Sequence, residues 1–194
     1  MGKILEFEHV DAGYGRVQIL HDLSFSVEEG EVYGVIGPNG CGKSTMFNAL
    51  IGLIIPTKGK ITFDGHDVTK VKSATRCHMG IGRTFQVPRP FEGMSVFENV
   101  LVAAVHGAGK SEHEGREWAL EALKLTELYD KREILAGELT LLDRKRMEIA
   151  RALGTQPKLL LLDEVAAGLT EAEVQDVMKM VADLKAAKYS IIWI

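Results

Sequence analysis

A glycine-rich run with a single lysine is the part of the sequence best suited to chemistry. It reads GPNGCGKS and consists of Gly37, Pro38, Asn39, Gly40, Cys41, Gly42, Lys43 and Ser44. Glycines let main-chain N–H groups curl around phosphate oxygens without a Cβ in the way. Lys43 offers a mobile cation to the outer phosphates, and the Ser44 hydroxyl can ligate Mg²⁺. The run fits the pattern G-x-x-x-x-G-K-[ST] and predicts a nucleoside triphosphate site.

Two carboxylates stand at the end of an apolar run in the second half of the chain. Leu159–Leu162 are followed directly by Asp163 and Glu164. Beside a phosphate loop, the first carboxylate at such a strand tip helps to hold Mg²⁺, commonly through water. The next residue points to the other side of the strand and can polarise the attacking water as a general base. Carboxylates also cap buried strands without any catalytic role, and the phosphate loop is what favours catalysis here.

These groups need a scaffold of buried strands and helices. Val32–Ile36 is largely apolar and predicts a strand buried on both faces of a parallel sheet. Leu159–Leu162 and Ser190–Ile194 predict two more such strands. A helix is predicted to begin near Lys43 and to stop at Gly52, because glycine readily takes the left-handed conformation that ends helices.

The other patterns predict strands near the N-terminus and helices farther on. Predicted strands are Ile4–Phe7, Leu23–Val27 and Ile61–Phe63, the last running into a tight turn at Asp64-Gly65. Predicted helices begin at a capping box formed by Ser95 and Glu98 and span Ser111–Leu128 and about Glu171–Ala187.

Length and composition favour one α/β domain. The chain has 194 residues, of which 46% are apolar and 26% charged. Its 23 basic and 27 acidic side chains give a net charge of −4, which argues against a nucleic-acid-binding protein. Cys41 and Cys77 have no metal-ligand spacing around them, so a reducing compartment is expected. The apolar runs are shorter than a membrane helix requires, and a soluble protein is predicted.

With these motifs in place, essentially the whole chain resembles the nucleotide-binding subunits of ABC transporters. Tyr14 in DAGYG matches the aromatic residue on which adenine stacks. Gln86 in RTFQV matches the glutamine that senses Mg²⁺ and the attacking water. The remaining landmarks also occur in the order expected for the family. They are the phosphate loop, a signature segment before Arg144–Leu153, and the strand that ends in Asp163-Glu164.

The resemblance implies the ABC ATPase fold. This is an α/β fold with a P-loop NTPase core and a mainly parallel sheet, an antiparallel β subdomain near the N-terminus and an inserted α-helical subdomain. One domain would cover residues 1–194. Residues 1–86 and 154–194 would form the β subdomain and nucleotide-binding core, and residues 87–153 the helical subdomain with the signature.

The same resemblance implies a set of site residues and the cofactors ATP and Mg²⁺. The catalytic residues would be Glu164, Gln86 and Lys43, and the metal ligands Ser44, Gln86 and Asp163. The nucleotide contacts would be Tyr14, Val17, Gly37, Pro38, Asn39, Gly40, Cys41, Gly42, Lys43, Ser44 and Thr45, with Thr140 of the signature binding the partner's nucleotide.

Expected partners and location follow from the family as well. They are a second ABC ATPase subunit in a homo- or heterodimer, integral membrane subunits and, through these, an extracytoplasmic solute-binding protein, with no nucleic acid. The chain would lie in the cytoplasm against the inner face of the membrane. The segments GIGRTFQ, MSVFENV, MEIARAL and AGL resemble the branched-chain amino acid import subfamily. The ATPase subunits of urea importers and of lipopolysaccharide exporters have similar sequences in these segments.

The chain departs from the family at the signature. Where relatives read LSGGQ, this chain has Leu139–Asp143 with the sequence LTLLD. Thr140 still supplies a hydroxyl and a helix start, but Leu141 and Leu142 replace glycines that allow a close approach to phosphate. Three interpretations stay open. The main chain still fits against the phosphate, or this half-site is weak and the active one lies across a heterodimer, or the segment is an ordinary capped helix. The basic run Arg144–Arg146 that follows is interpreted as a solvated helix face.

Two further departures concern the last part of the chain. Thr170 stands where many relatives have aspartate, which weakens the case for communication between paired sites. Relatives also carry a histidine just beyond the third buried strand, whereas Ile194 ends this sequence, so a C-terminally truncated domain is expected. Such a polypeptide should bind Mg-ATP and turn it over slowly.

Two other functions are compatible with the phosphate loop. One is a soluble ABC ATPase of DNA repair or translation, against which stand the short segment between Gln86 and the signature and the acidic charge balance. The other is a nucleotide-gated regulatory module with little hydrolysis, which Leu141 and Leu142 would explain.

Overall fold

A computed structural model describes residues 2–194 and arranges them in two four-stranded sheets and six α-helices. The strands are β1 (Lys3–Tyr14), β2 (Val17–Glu28), β3 (Val32–Gly34), β4 (Lys58–Phe63), β5 (His66–Asp67), β6 (Ile81–Arg83), β7 (Leu159–Leu162) and β8 (Ser190–Trp193). The helices are α1 (Lys43–Leu50), α2 (Ser73–Met79), α3 (Val96–Val102), α4 (Glu112–Leu125), α5 (Leu141–Gly154) and α6 (Glu171–Ala186).

The first sheet is antiparallel, with strand order β2-β1-β4-β5. Alternating side chains of β1 and β4, among them Phe7 and Phe63, are fully buried and pack in one core with Phe47 of α1. The turn between β4 and β5 has positive φ at both Asp64 and Gly65. That geometry matches the right-handed twist of a hairpin, so the tight turn predicted there is confirmed.

The second sheet is parallel, with strand order β3-β8-β7-β6. Its inner strand β7 is buried at every position, as the run Leu159–Leu162 predicts. The strand expected at Val32–Ile36 is present in the parallel sheet, but its predicted length and its predicted burial on both faces were wrong. The strand β3 covers only Val32–Gly34 and is partly exposed, and Ile36 is 99% exposed. The reason is that β3 lies at the edge of its sheet and pairs with β8 alone.

The middle of the chain forms a helical layer made by α3, α4 and α5, and a π-helical turn at Ala103–Gly107 lies between α3 and α4. α3 begins at the predicted capping box, in which Ser95 accepts from the amide of Glu98 and the Glu98 carboxylate accepts from the amide of Ser95. Within residues 2–194, no helix combines the length and the apolar character needed to cross a lipid bilayer.

A buried guanidinium holds the far end of α1. Arg76 of α2 is completely inaccessible and donates to the carbonyls of Ala49, Leu50, Thr69 and Val71. Burial lowers the pKa of Arg76 to about 10, so the side chain stays charged at neutral pH. Two carbonyls of the last turn of α1, those of Ala49 and Leu50, thereby gain a charged donor.

Candidate functional site

The predicted phosphate loop joins β3 to α1, and glycines shape it. Gly42 precedes the first turn of α1 with φ of 102°, where a Cβ would also come within 3.1 Å of the Leu20 side chain. A Cβ on Gly37 would come within 2.8 Å of the Cys41 sulfur. The loop therefore has no room for side chains at these positions, which leaves its main-chain amides open to an anion.

Lys43, the first residue of α1, folds back over this loop. Its Nζ donates to the carbonyl of Gly37 at 2.7 Å and to that of Pro38 at 3.0 Å. A positive charge is thus held at the mouth of the loop and next to the N-terminus of α1, whose dipole also favours anions.

A cavity of about 340 Å³ opens between the loop and the tips of two other segments. Its lining residues are Ile19, Asn39, Gly40, Gly42, Lys43, Ser44, Thr45, Gln86 and Glu164. Six of the nine loop residues predicted to contact the nucleotide therefore face the same space as Gln86 and Glu164, which are predicted to handle water. A cation, a hydroxyl and a carboxylate–amide pair facing one space suit transfer of a phosphoryl group to water.

Glu164 and Gln86 are in direct contact. The Gln86 Nε2 donates to Glu164 Oε2 at 2.6 Å. Glu164 has φ of 47°, which is unusual for a residue with a side chain. Its amide donates to the carbonyl of Ile194, which helps to hold that conformation. Strained main chain of this kind is concentrated at functional sites, where it aims a side chain.

Asp163 points to other partners than Glu164 does. It is 3% exposed, and its Oδ2 accepts from Arg83 Nη2 at 2.7 Å. The Asp163 amide donates to the hydroxyl of Thr84. Its Oδ1 is buried and has no hydrogen-bond partner among residues 2–194. Asp163 does not itself line the phosphate cavity, but it directly precedes Glu164, which does. A lone buried acceptor in this position is suited to a metal ion or to one of the waters of that ion.

Asp163 and Ser44 can be compared with the ligands that Mg²⁺ commonly takes in proteins. Residues 2–194 contain no group of three or more His, Cys, Asp or Glu side chains that could hold a metal by themselves. Mg²⁺ commonly takes one or two protein ligands and completes its shell with water and substrate phosphates. Asp163 and Ser44 fit that pattern.

A chain of hydrogen bonds connects Asp163 with Tyr14. Arg83, paired with Asp163, also donates to Asn48 Oδ1 at 2.6 Å, and Asn48 Nδ2 donates to the Tyr14 hydroxyl at 2.7 Å. Tyr14 is 49% exposed, so one face of its ring is open to a base. Neither Tyr14 nor the exposed Val17 lines the phosphate cavity; both lie where β1 turns into β2.

Thr140 lies away from this cavity, at the start of α5. Its side chain accepts from the amide of Asp143, so the helix start predicted there is confirmed. The Thr140 hydroxyl donates to Asp143 Oδ2, which also pairs with Lys131. Leu141 beside it is 46% exposed.

The interpretation of Arg144–Arg146 as a solvated helix face was wrong. Lys145 is 3% exposed, and its Nζ donates to the carbonyls of Gln86 at 2.7 Å and Glu164 at 3.3 Å. Arg146 pairs with Glu127 at 2.7 Å. These side chains are held in place because α5 packs between the core and the other helices, so that a charged run on it meets carbonyls and carboxylates instead of water.

Arg83 and Lys145 are thus residues near the site that the sequence did not reveal. Both are buried cations, and local sequence contains no signal for burial of an isolated charge. Arg83 lies at the end of a short strand, directly after Gly82, and this position gives no sign that its side chain is buried. For Lys145, helical periodicity gives a weak signal, because it lies three residues before Glu148 on the face of α5 that is buried.

Cys41 gives a direct chemical test of the loop. Its thiol is exposed and would lie 2.8 Å from a Cβ placed on Gly37, whereas Cys77 is partly buried. We expect a bulky maleimide on Cys41 to fill the phosphate cradle and to abolish nucleotide binding, and we expect ATP to protect the thiol. Binding of a fluorescent ATP analogue before and after labelling measures the effect. A Cys41→Ala variant treated in the same way is the control and should keep its affinity; undiminished binding by the fully labelled protein would contradict the assignment.

Comparisons with known proteins agree with this geometry. The family model described as "ABC transporter" matches residues 20–167. The chain is 38% identical over 200 residues to a probable branched-chain amino acid transport ATP-binding protein, LivG, of Methanocaldococcus jannaschii, covering 95% of this chain and 76% of that protein. It is 35% identical to the lipopolysaccharide export system ATP-binding protein LptB of Acidithiobacillus ferridurans, covering 96% and 77%.

Among solved structures, the ADP conformation of an ATP-binding cassette of an ABC transporter superposes with a TM-score of 0.91 at 34% identity. The match covers all of this chain and 81% of the other. The ABC ATPase fold predicted from the sequence is therefore confirmed. With its phosphate loop, its matched family model and relatives that share most of its length, the chain belongs to the ABC transporter family and is an ATP-hydrolysing, ATP-binding subunit of a transporter.

Proposed function

We propose that this chain drives the import of amino acids of the branched-chain type by binding and hydrolysing Mg-ATP. The observation that carries the binding and hydrolysis of ATP in this proposal is the single cavity shared by Lys43, Ser44, Gln86 and Glu164. The similarity to LivG of M. jannaschii supports the solute class.

In the proposed site the loop from Gly37 to Thr45 binds the phosphates through its main-chain amides and the Lys43 ammonium. Ser44, Asp163 and Gln86 are the residues that would hold Mg²⁺. The ion supplies charge neutralisation at the phosphates when it is bound. Tyr14 and Val17 offer an exposed apolar surface to the adenine.

Glu164 is proposed as the general base, because its carboxylate faces the phosphate cavity. The Gln86 amide, 2.6 Å from it, fixes the direction of that carboxylate and leaves one amide oxygen to accept from water. Glu164 would orient a water molecule and take its proton as the water attacks the γ-phosphorus and the bond to the leaving β-phosphate oxygen breaks.

The proposed assembly pairs two cassettes, so that the α5 N-terminus of one subunit faces the nucleotide of the other. Thr140 would be the polar group offered there. Its hydroxyl is already committed to Asp143, and two leucines follow it, which supports a heterodimer in which the partner contributes the stronger signature. In each cassette, residues 1–86 and 154–194 would form the core, and residues 87–153 would form the helical subdomain.

The proposed membrane contact lies between the core and the helical layer. A cavity of about 230 Å³ there is lined by Arg83, Phe85, Glu148 and Arg151, among others. Phe85 and Phe91 are each 47% exposed, so an apolar helix of a membrane subunit could cover them. The chain would then sit on the cytoplasmic face of the membrane, bound through these subunits and linked by them to a solute-binding protein, with no nucleic acid involved.

The test is to recover the complex from native membranes through a tag on this chain and to reconstitute it in liposomes. We expect integral membrane subunits to co-purify, and we expect leucine, isoleucine or valine to stimulate both ATP hydrolysis and uptake of the labelled amino acid. Stimulation by lipopolysaccharide instead would favour an export role like that named for LptB, and nucleic-acid-dependent hydrolysis would favour a soluble ABC ATPase. Nucleotide binding without phosphate release in the whole assembly would leave only a regulatory role.

A further inference from the structure

Lys145 of α5 is buried, and its ammonium is bound by two main-chain carbonyls. These belong to Gln86 and Glu164, at 2.7 and 3.3 Å from Nζ. The side chains of the same two residues meet at 2.6 Å and line the phosphate cavity. The ammonium of Lys145 thus binds the main chains of Gln86 and Glu164, the two residues that face the phosphate loop across the cavity.

Two neighbours of Lys145 on the same face of α5 extend this attachment. Glu148 lies one turn later and accepts from the amide of Arg89 at 3.1 Å. Arg151, a further three residues on, donates to the carbonyl of Arg89 at 2.8 Å, and its guanidinium lies over the ring of Phe91 at 5.2 Å. The spacing of three residues puts these side chains in one row, so the row binds the segment from Gln86 to Phe91 along two turns of helix.

Burial of Lys145 is costly for the fold. Desolvation lowers its pKa, although the nearby carboxylates of Glu164, Glu148 and Asp163 act in the opposite direction. None of these carboxylates is hydrogen-bonded to the Lys145 ammonium in the described chain. A methionine would fill similar space without that cost, since replacing a buried charge by an apolar group of similar volume is often neutral or stabilising. The lysine is therefore hard to explain by stability alone.

We propose that Lys145 is a positioning residue for ATP hydrolysis, which fixes the Gln86 and Glu164 main chains to α5 and passes any displacement of this helix to their side chains. This inference rests on the catalytic roles proposed above for those side chains. It gives α5 a second task besides presenting its N-terminus, because the same helix sets the spacing of the groups that handle water.

The experiment compares Lys145→Met and Lys145→Arg with Lys179→Met, which removes an exposed lysine of α6, in the reconstituted transporter. We expect Lys145→Met to lower kcat by about 10- to 100-fold, as small displacements of catalytic groups do. ATP affinity should stay within about threefold, because the phosphate loop is untouched. The melting temperature should not fall, or should rise by a few degrees. Lys145→Arg should recover most of kcat, and Lys179→Met should behave as the unmodified protein.

Hydrogen exchange provides a second measurement that needs no turnover. In Lys145→Met, the amides of Arg89 and Phe91, which donate to the side chains of Glu148 and Asn99, should exchange several times faster than in the unmodified protein, whereas those of the phosphate loop should not change. Unchanged kcat in Lys145→Met would overturn the proposal. The proposal would also be overturned if the loss of kcat came with a similar fold-loss of ATP affinity and a clear drop in melting temperature. That pattern is the one expected of a residue with a merely structural role.

A parallel Glu164→Gln variant separates this inference from the proposed function. If Glu164→Gln is inactive and Lys145→Met is fully active, only the positioning role is refuted. If Glu164→Gln itself turns over ATP normally, the general-base assignment fails, and the inference that depends on it fails with it.

Discussion

Lys43→Ala is expected to lower the affinity for Mg-ATP by about 100-fold. A hydrogen bond to a charged group contributes about 1.5–3 kcal/mol, and about 1.4 kcal/mol corresponds to a factor of ten in affinity. Lys43 is the one side-chain cation lining the cavity in the described part of the chain, so no other lysine or arginine can take over the phosphates there. Equilibrium binding of a fluorescent ATP analogue measures the effect.

The variant also removes two bonds within the loop, from Lys43 Nζ to the carbonyls of Gly37 and Pro38. Its melting temperature without nucleotide must therefore be measured, and we expect a change of only a few degrees because the loop is exposed. Lys58→Ala is the matched control, since it deletes an exposed lysine whose side chain is 78% accessible. Equal affinities for Lys43→Ala and Lys58→Ala would refute the phosphate assignment of the loop.

Glu164→Gln is expected to lower the rate of ATP hydrolysis by at least about 100-fold, the lower end of what a general base contributes. ATP affinity should change little, because glutamine has nearly the same shape and no phosphate contact is removed. The Gln86 amide can still donate to the new amide oxygen, so the loop geometry should be kept. Phosphate release in the reconstituted complex is the measurement.

Glu117→Gln, the same chemical change on the exposed face of α4, is the control for this variant. A large loss of affinity in Glu164→Gln would show that the carboxylate acts in binding rather than in catalysis. Hydrolysis at the unmodified rate would leave the strained main chain at Glu164 without the role proposed for it.

Much of the scaffold was predictable because its signals are local. The strand β7 spans the predicted Leu159–Leu162, and α6 ends one residue before its predicted limit at Ala187. In both cases the hydrophobic pattern is the same along the whole element, and residues unfavourable to that element mark its ends. The strand β6 and the helix α2 were not predicted, since Ile81–Arg83 and Ser73–Met79 are too short to show any period.

The part of the site that consists of sequence motifs was also predictable. The loop and Glu164 face one cavity, as their pattern suggests. What could not be read from the sequence are the connections between distant segments: Arg83 joining Asp163 to Asn48, and Lys145 joining α5 to Gln86. Each depends on an isolated charge becoming buried, which packing decides and composition does not.

The buried Arg76 has an electrical consequence for the other end of α1. Eight helical residues are about 12 Å long, so a full positive charge lies roughly that far behind the phosphate loop, with apolar core between. Its contacts with the last carbonyls of α1 cover the negative pole of this helix and leave the positive pole facing the loop. The interior thereby adds a standing attraction for anions at the loop, which acts on any polyphosphate regardless of its base.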